Sequence, residues 1–266
     1  MQPLAAICDF LESFAPARLA EDWDNVGLLV GDRAKSVAKV MTCLTITPSS
    51  AREAIDSSAD LIVAHHPLPF RPLKRLTADT TAGRLLLDLI GAGVAIYSPH
   101  TAFDSARSGI NQSLAEGLGL QEIQPLLPTV VAPEIGSGRW GRFASTAGEP
   151  ARLNDLLSRL KNFLRLDRVQ VVSATDRAME RVAVACGSAG QFLEPAHKLG
   201  CDALITGETN FHTCLEAEAT GVALLLTGHF ASERFGVERL AEVLSIRYPE
   251  LTIWASRNEQ DPLRWS

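Results

Sequence analysis

Four short stretches of this chain concentrate imidazole and carboxylate groups at the ends of hydrophobic runs. They are His65-His66-Pro67, His100-Thr101-Ala102-Phe103-Asp104, Gly207-Glu208 and Gly228-His229-Phe230-Ala231-Ser232-Glu233. Imidazole nitrogen and carboxylate oxygen together suit borderline divalent metals such as zinc, iron, manganese or nickel. Open catalytic sites usually take three protein donors per ion, and five or more are available here. The economical reading is a site for two ions with a bridging carboxylate and room for water. Paired metals about 3.5–4 Å apart activate water and clamp a displaced oxygen.

The bland alternatives are real. A single histidine at a strand end is more often a hydrogen-bonded structural residue, and His-x3-Glu is common on solvated helices. Adjacent His65 and His66 face one way only if the backbone turns, as Pro67 implies. What favours a site is joint occurrence: of six histidines, four (65, 66, 100 and 229) fall in these stretches. His212 follows closely behind Glu208, and His197 reads as a helix-surface residue. His-x3-Asp and His-x3-Glu put both groups on one helical face.

Elements that could position these groups can be read along the chain. A helix opens on Leu4, Ile7, Cys8, Leu11 and Phe14. Asp22–Leu28 is a loop into a short strand. Val37–Ile46 reads as a strand, Thr47-Pro48 as the cap and first turn of a helix over 48–58, and Leu61–Ala64 as a buried strand. A helix near 79–92, a strand at 94–97 and a helix at 108–118 follow. Prolines and glycines punctuate 121–150, including a β-like piece at Gly138–Thr146, and a lobe boundary is expected there. Beyond it, the amphipathic stretch from Leu153 to Leu164 opens a second series of strands and helices, with a last strand at 251–254. The expected fold is α/β: two related lobes with mainly parallel or mixed sheets, residues 1–127 and 128–266, with the metal site between them. The relatedness rests on an echo. Ala59–His66 aligns without gaps on Cys201–Glu208, and Gly93-Val94-Ala95-Ile96 followed by His100 and Asp104 parallels Gly221-Val222-Ala223-Leu224 followed by His229 and Glu233.

Composition bounds the function. The 266 residues carry a net charge of −6, which argues against a broad nucleic-acid surface. Five cysteines (8, 43, 186, 201 and 214) form no CxxC pair and read as reduced thiols of a cytoplasmic protein. No signal peptide and no membrane span are expected. Arg71, Lys74 and Arg75 could meet a phosphate, although a solvated basic loop is the commoner case. Gly187–Gly190 is either an anion-binding turn or simply a tight one.

Trp23-Asp24-Asn25-Val26-Gly27-Leu28, His65-His66-Pro67, His100-Thr101 with Asp104, Thr206-Gly207-Glu208, and Gly228-His229 with Ser232-Glu233 occur in the order seen in the dinuclear metal centre hexameric proteins, the GTP cyclohydrolase 1 type 2 homologues. The chain resembles the short bacterial form of that family over nearly its full length. The resemblance implies a toroidal homohexamer and ligation of two metals by His65, His66, Asp104, His229 and Glu233, with Glu233 bridging. It leaves His100 for proton transfer or for support behind the ligands, and Glu208 outside the ligand set. Where family members often have Leu-Asp, this chain has Leu44-Thr45, and Glu208 replaces an Asp. The expected function is a metal-dependent hydrolase of a nucleotide such as GTP, with a phosphoester hydrolase as the runner-up among enzymes and His100 or Glu208 moving protons. The alternative is a non-enzymatic hexameric scaffold that stores or delivers metal.

Overall fold

A computed structural model of the chain describes residues 1–130, 132–144, 150–172 and 175–264. Residues 145 and 146, the end of the β-like piece expected at Gly138–Thr146, lie outside them. The chain forms two compact units, residues 1–103 with 236–266, and residues 104–235.

The first unit is built on a five-stranded sheet. Its order is β13 (Thr252–Ala255), β4 (Lys39–Cys43), β5 (Leu61–Ala64), β6 (Ala95–Ser98), β2 (Gly27–Val30). All pairs are parallel except β2 with β6. Every residue of β5 and β6 is buried, which explains their unbroken apolar sequence in place of alternation. A two-residue ladder of β1 (Gln2–Pro3) and β3 (Ser36–Val37) lies apart from this sheet. Helix α1 (Leu4–Phe14) buries Leu4, Ile7, Cys8 and Leu11. Helix α2 (Pro48–Asp56) starts with a capping box in which Thr47 Oγ1 accepts from Ser50 N and Ser50 Oγ accepts from Thr47 N. Helix α3 (Thr81–Gly91) is capped by Thr80. The carboxylate of Glu53 on α2 accepts from Trp254 Nε1, Ser256 Oγ and the Arg257 and Asn258 amides. That ties the segment around β13 to the start of the chain.

The second unit holds a six-stranded sheet, in order β7 (Gln121–Pro128), β8 (Gly136–Arg142), β10 (Arg181–Ser188), β11 (Ala203–Glu208), β12 (Ala223–Leu226), β9 (Gln170–Val172). Its centre, β10-β11-β12, is parallel, and the flanking pairs are antiparallel. Helices α5 (Ile110–Gly117), α6 (Leu153–Leu164), α7 (Leu193–Lys198) and α8 (Phe211–Thr220) accompany it. Leu153, Leu156 and Leu160 of α6 pack with Leu114 and Leu118 over one face. Gly117 is required there because a Cβ would collide with the Phe163 ring.

The expected boundary at 127/128 is therefore displaced. Strand β7 belongs wholly to the second unit, while the chain returns to the first so that β13 can extend its sheet beside β4. Both divisions fall inside helices, α4 (His100–Ser105) and α9 (His229–Arg247).

The echo in the sequence is an echo in structure. Leu61 pairs with Ala95 as Ala203 pairs with Ala223. The Asp60 carboxylate accepts the Ala38 and Lys39 amides, as the Asp202 carboxylate accepts those of Glu180 and Arg181. Gly93 and Gly221 sit at φ +73° and +74°. Counted from the paired strands, however, His100 falls at the place of Gly228 rather than of His229. Both have positive φ, +26° and +88°. That conformation suits glycine and strains histidine, a kind of strain that concentrates at functional positions.

Arg139 of β8 is fully buried in the second unit. Its guanidinium donates to the carbonyls of Ser105 (3.1 Å), Ala106 (2.9 Å), Gly136 (2.5 Å) and Gly138 (2.7 Å), and to Gln112 Oε1 (2.9 Å). Burial pulls its pKa down to about 10, so it stays charged at neutral pH. Ser105 and Ala106 end the helix turn that carries Asp104, so this one cation terminates it. Replacing Arg139 with Met should leave those acceptors unsatisfied and cost about 3–5 kcal/mol. Arg139→Lys should recover little of it, because an ammonium lacks the planar fork. Urea unfolding of the three proteins measures this, and an unchanged midpoint in Arg139→Met would refute the assignment.

Candidate metal centre

The turn after β5 sets out the first group of donors. His65 N and His66 N donate to the carbonyls of Cys43 and Leu44, so the backbone continues past the strand end and then bends at Pro67. The two rings lie side by side, with centroids 5.1 Å apart. His100 opens α4 next to them, its ring centroid 5.2 Å from that of His65 and 5.5 Å from that of His66. Each of the three imidazoles offers a nitrogen within 4.8 Å of the others. This is a spacing that one ion can bridge.

Two of these rings are aimed by partners behind them. Asp24, whose side chain is completely buried, binds His100 Nδ1 through Oδ1 at 2.7 Å. Its Oδ2 accepts from Thr101 N at 3.1 Å and Thr101 Oγ1 at 2.5 Å. Burial alone would raise the Asp24 carboxyl, but the hydrogen bonds from His100 and Thr101 outweigh it and bring the pKa to about 2. His66 Nδ1 meets Thr45 Oγ1 at 2.7 Å. Thr45 is held in turn, since its amide and that of Leu44 donate to the Glu259 carboxylate at 2.6 and 2.8 Å. Engaging Nδ1 in this way makes Nε2 the nitrogen presented to a metal. The departure noted at Leu44-Thr45 thus leaves His66 backed by a neutral hydroxyl.

The second unit carries the carboxylates. Helix α9 begins at His229 and so puts His229 and Glu233 on one turn. His229 Nε2 lies 3.2 Å from Glu233 Oε2, and its Nδ1 lies 2.9 Å from Glu208 Oε1. Glu208 is thus the carboxylate that meets Nδ1 of His229. Glu233 is 3% exposed. Its carboxylate lies against the backbone of Gly187, where pairing of β10 with β11 is interrupted by a bulge and φ is +68°. A Cβ at Gly187 would collide with Glu233 Oε1. Ser232 Oγ accepts from Gly187 N at 2.9 Å and donates to His229 O at 2.8 Å, closing the cradle.

Asp104 is held by a pair that the sequence did not single out for chemistry. Cys186 Sγ donates to Asp104 Oδ1 at 3.2 Å, Asn111 Nδ2 donates to Asp104 O at 3.2 Å, and Asn111 Oδ1 accepts from Cys186 N at 2.8 Å. Burial, then the nearby charges of Asp104 and Glu233, push the thiol pKa well up, so it remains a donor. His212 and His197 are exposed outside these groups, as is the Arg71–Arg75 loop. Within Gly187–Gly190, Gly187 near the end of β10 cradles the Glu233 carboxylate, and Gly190 opens a short 3-10 helix. The donors fit divalent ions on these observations: three converging imidazoles in one unit, and in the other a buried carboxylate seated where glycine alone fits.

The depressed Asp24 pKa carries a stability consequence. A carboxylate with a folded pKa near 2 and an unfolded pKa near 4 stabilises the fold above pH 4, and this contribution is lost as pH falls toward 2. Asp24→Asn should therefore lower stability at pH 7 by about 2 kcal/mol and flatten the stability–pH curve between about 4 and 2. Denaturant midpoints for both proteins across that window decide it; parallel curves would refute the assignment.

The chain's relatives agree with this architecture. A protein from Clostridium acetobutylicum named GTP cyclohydrolase 1 type 2 homolog is 32% identical over 264 residues, covering 97% of each chain. A Drosophila melanogaster protein named NIF3-like protein 1 is also 32% identical, over 98% of this chain and 89% of its own. Among solved structures, a Staphylococcus aureus hypothetical protein superposes with a TM-score of 0.88 over 99% of both chains at 24% identity. The family model described as Duf34/NIF3 (NGG1p interacting factor 3) matches residues 3–262. This chain belongs to the Duf34/NIF3 family.

Proposed function

We propose that the protein is a metal-dependent hydrolase acting on a nucleotide such as GTP, with two divalent ions held by His65, His66, Asp104, His229 and Glu233. The observation that carries this reading is the convergence of His65, His66 and His100, two of them aimed from behind by Asp24 and Thr45. The name GTP cyclohydrolase 1 type 2 homolog, borne by several relatives, supports the substrate class. A bound pair of divalent ions would lower the pKa of water and polarise an electrophile. The chain's own residues do the rest. Glu233, held in place by its cradle on Gly187, would be one of the residues that hold the ions. Glu208 and Asp24 keep the His229 and His100 rings oriented, and Cys186 with Asn111 fixes Asp104. His100, with Nδ1 pinned to a carboxylate of very low pKa, takes up and returns protons through Nε2. For GTP the outcome is opening of the guanine imidazole ring to a formamide by one water, and hydrolysis of that formamide to formate and an amine by a second. The protein works as a cytoplasmic toroidal homohexamer. No helix among the described residues is long and apolar enough to cross a membrane.

Elemental analysis of metal-loaded protein should find two ions per chain, and Glu233→Gln should deplete both. Formate release from GTP should be abolished by chelation and restored by added metal. One ion or fewer per chain, or no turnover across a nucleotide panel by fully loaded protein, would sink the proposal.

Metal uptake should also depend on pH in a defined direction. The hydrogen bond with Glu233, opposed by burial and reinforced by Glu208, raises the His229 pKa to about 9. Below that pH the metal-free ring is protonated, and ligation must expel the proton. Apparent affinity should therefore rise roughly tenfold per pH unit up to about 9 and then level off. His229→Gln should weaken binding and remove this slope. Competition titrations with a chromogenic chelator would measure it, and a slope that survives in His229→Gln would assign the proton elsewhere.

A further inference from the structure

Trp23 and Phe70 are large apolar side chains left 60% and 47% exposed. They are not scattered. Their centroids lie 5.9 Å apart with planes tilted by 43°. Both meet the His100 ring edge-on, at 6.0 and 6.1 Å. The arrangement is built, because a residue next to each ring is tied down. Asp24, next to Trp23, holds His100 and Thr101, and Asn25 Nδ2 donates to Pro69 O at 2.8 Å, joining the Trp23 loop to the Phe70 loop. Two aromatic faces are thereby held open to solvent beside the imidazole proposed to move protons. Leaving such area in water forfeits the free energy of burying it, which a planar ligand would recover. The exposed segment after Phe70 brings Arg71, Lys74 and Arg75, a local cationic run in a chain of net charge −6. Positive charge next to a stacking surface is complementary to phosphate joined to a heteroaromatic base.

We infer that Trp23 and Phe70 form a stacking platform for the base of a nucleotide, whose phosphates are met by Arg71, Lys74 and Arg75. This deepens the nucleotide reading and rests on it for the substrate class, but it concerns binding and needs neither metal nor turnover. The base lies on the exposed aromatic faces next to His100, and the cationic loop fixes which end of the nucleotide points outward.

The test is calorimetric titration of GTP, guanosine and ribose 5-phosphate into metal-free protein. GTP should bind the wild type, and Trp23→Ala should weaken it roughly tenfold or more, the usual effect of losing one base–aromatic stack. Trp23→Phe should restore most of the affinity. Changing Arg71, Lys74 and Arg75 together to Ser should weaken GTP and leave guanosine unaffected, and ribose 5-phosphate should be insensitive to Trp23. Phe211→Ala, removing an exposed aromatic of the second unit, should change nothing. The inference is overturned if GTP at millimolar concentration does not bind, or if Trp23→Ala binds it as the wild type does. It is equally overturned if Trp23→Ala alters only the sedimenting mass, for the ring would then be a contact between proteins. Binding without turnover by metal-loaded protein would leave the platform standing and sink the hydrolase. Turnover with a KM indifferent to Trp23 would do the reverse.

Discussion

The constraint on which this structure turns is that an imidazole serves a metal or a proton only if the far side of its ring is already spoken for. His100 has Asp24, His229 has Glu208 and His66 has Thr45. Each of these partners fixes a direction, and each needs its own support. Asp24 is stabilised by Thr101, and Thr45 is stabilised through its amide by Glu259. The partners are graded in charge. Two rings lean on carboxylates and one leans on a hydroxyl.

Much of this was legible in the sequence because it is local. Paired strands, His-x3-acid spacing and the Pro after a His pair all act within a few residues, and the recurrence of Ala59–His66 at Cys201–Glu208 marked two units of one design. The shared carboxylate device, Asp60 and Asp202 each receiving two amides from a neighbouring strand, shows why that recurrence includes an aspartate at the same place. What stayed hidden acts across distance. Asp24 lies 76 residues from His100, Glu259 lies 214 from Thr45, and Cys186 lies 82 from Asp104. A buried cysteine in a strand looks like core, and nothing about its neighbours in sequence says that its thiol faces a carboxylate. The unit boundary was misplaced for the same reason. Proline and glycine density marks where a chain is irregular, whereas membership of a sheet is decided by a strand pairing with one far away, as β13 pairs with β4.

The echo also misled at one point. Matching His100 to His229 by their carboxylates is natural in sequence, yet strand register sets His100 against Gly228. The first unit has put a side chain where the second keeps a glycine. The cost is a strained backbone at φ +26°, and the gain is a third ring beside His65 and His66.

The return of the chain to its first sheet has a consequence for how the molecule is made. Residues 104–235 are contiguous and are complete on the ribosome while β4 still lacks its outer neighbour β13. Glu259, which holds the amides of Leu44 and Thr45, emerges later still. The older unit by birth is thus the younger by completion. Until β13 arrives, the nascent chain exposes an unpaired edge of β4, an open template for other strands. The support behind His66 is finished only when that edge is closed.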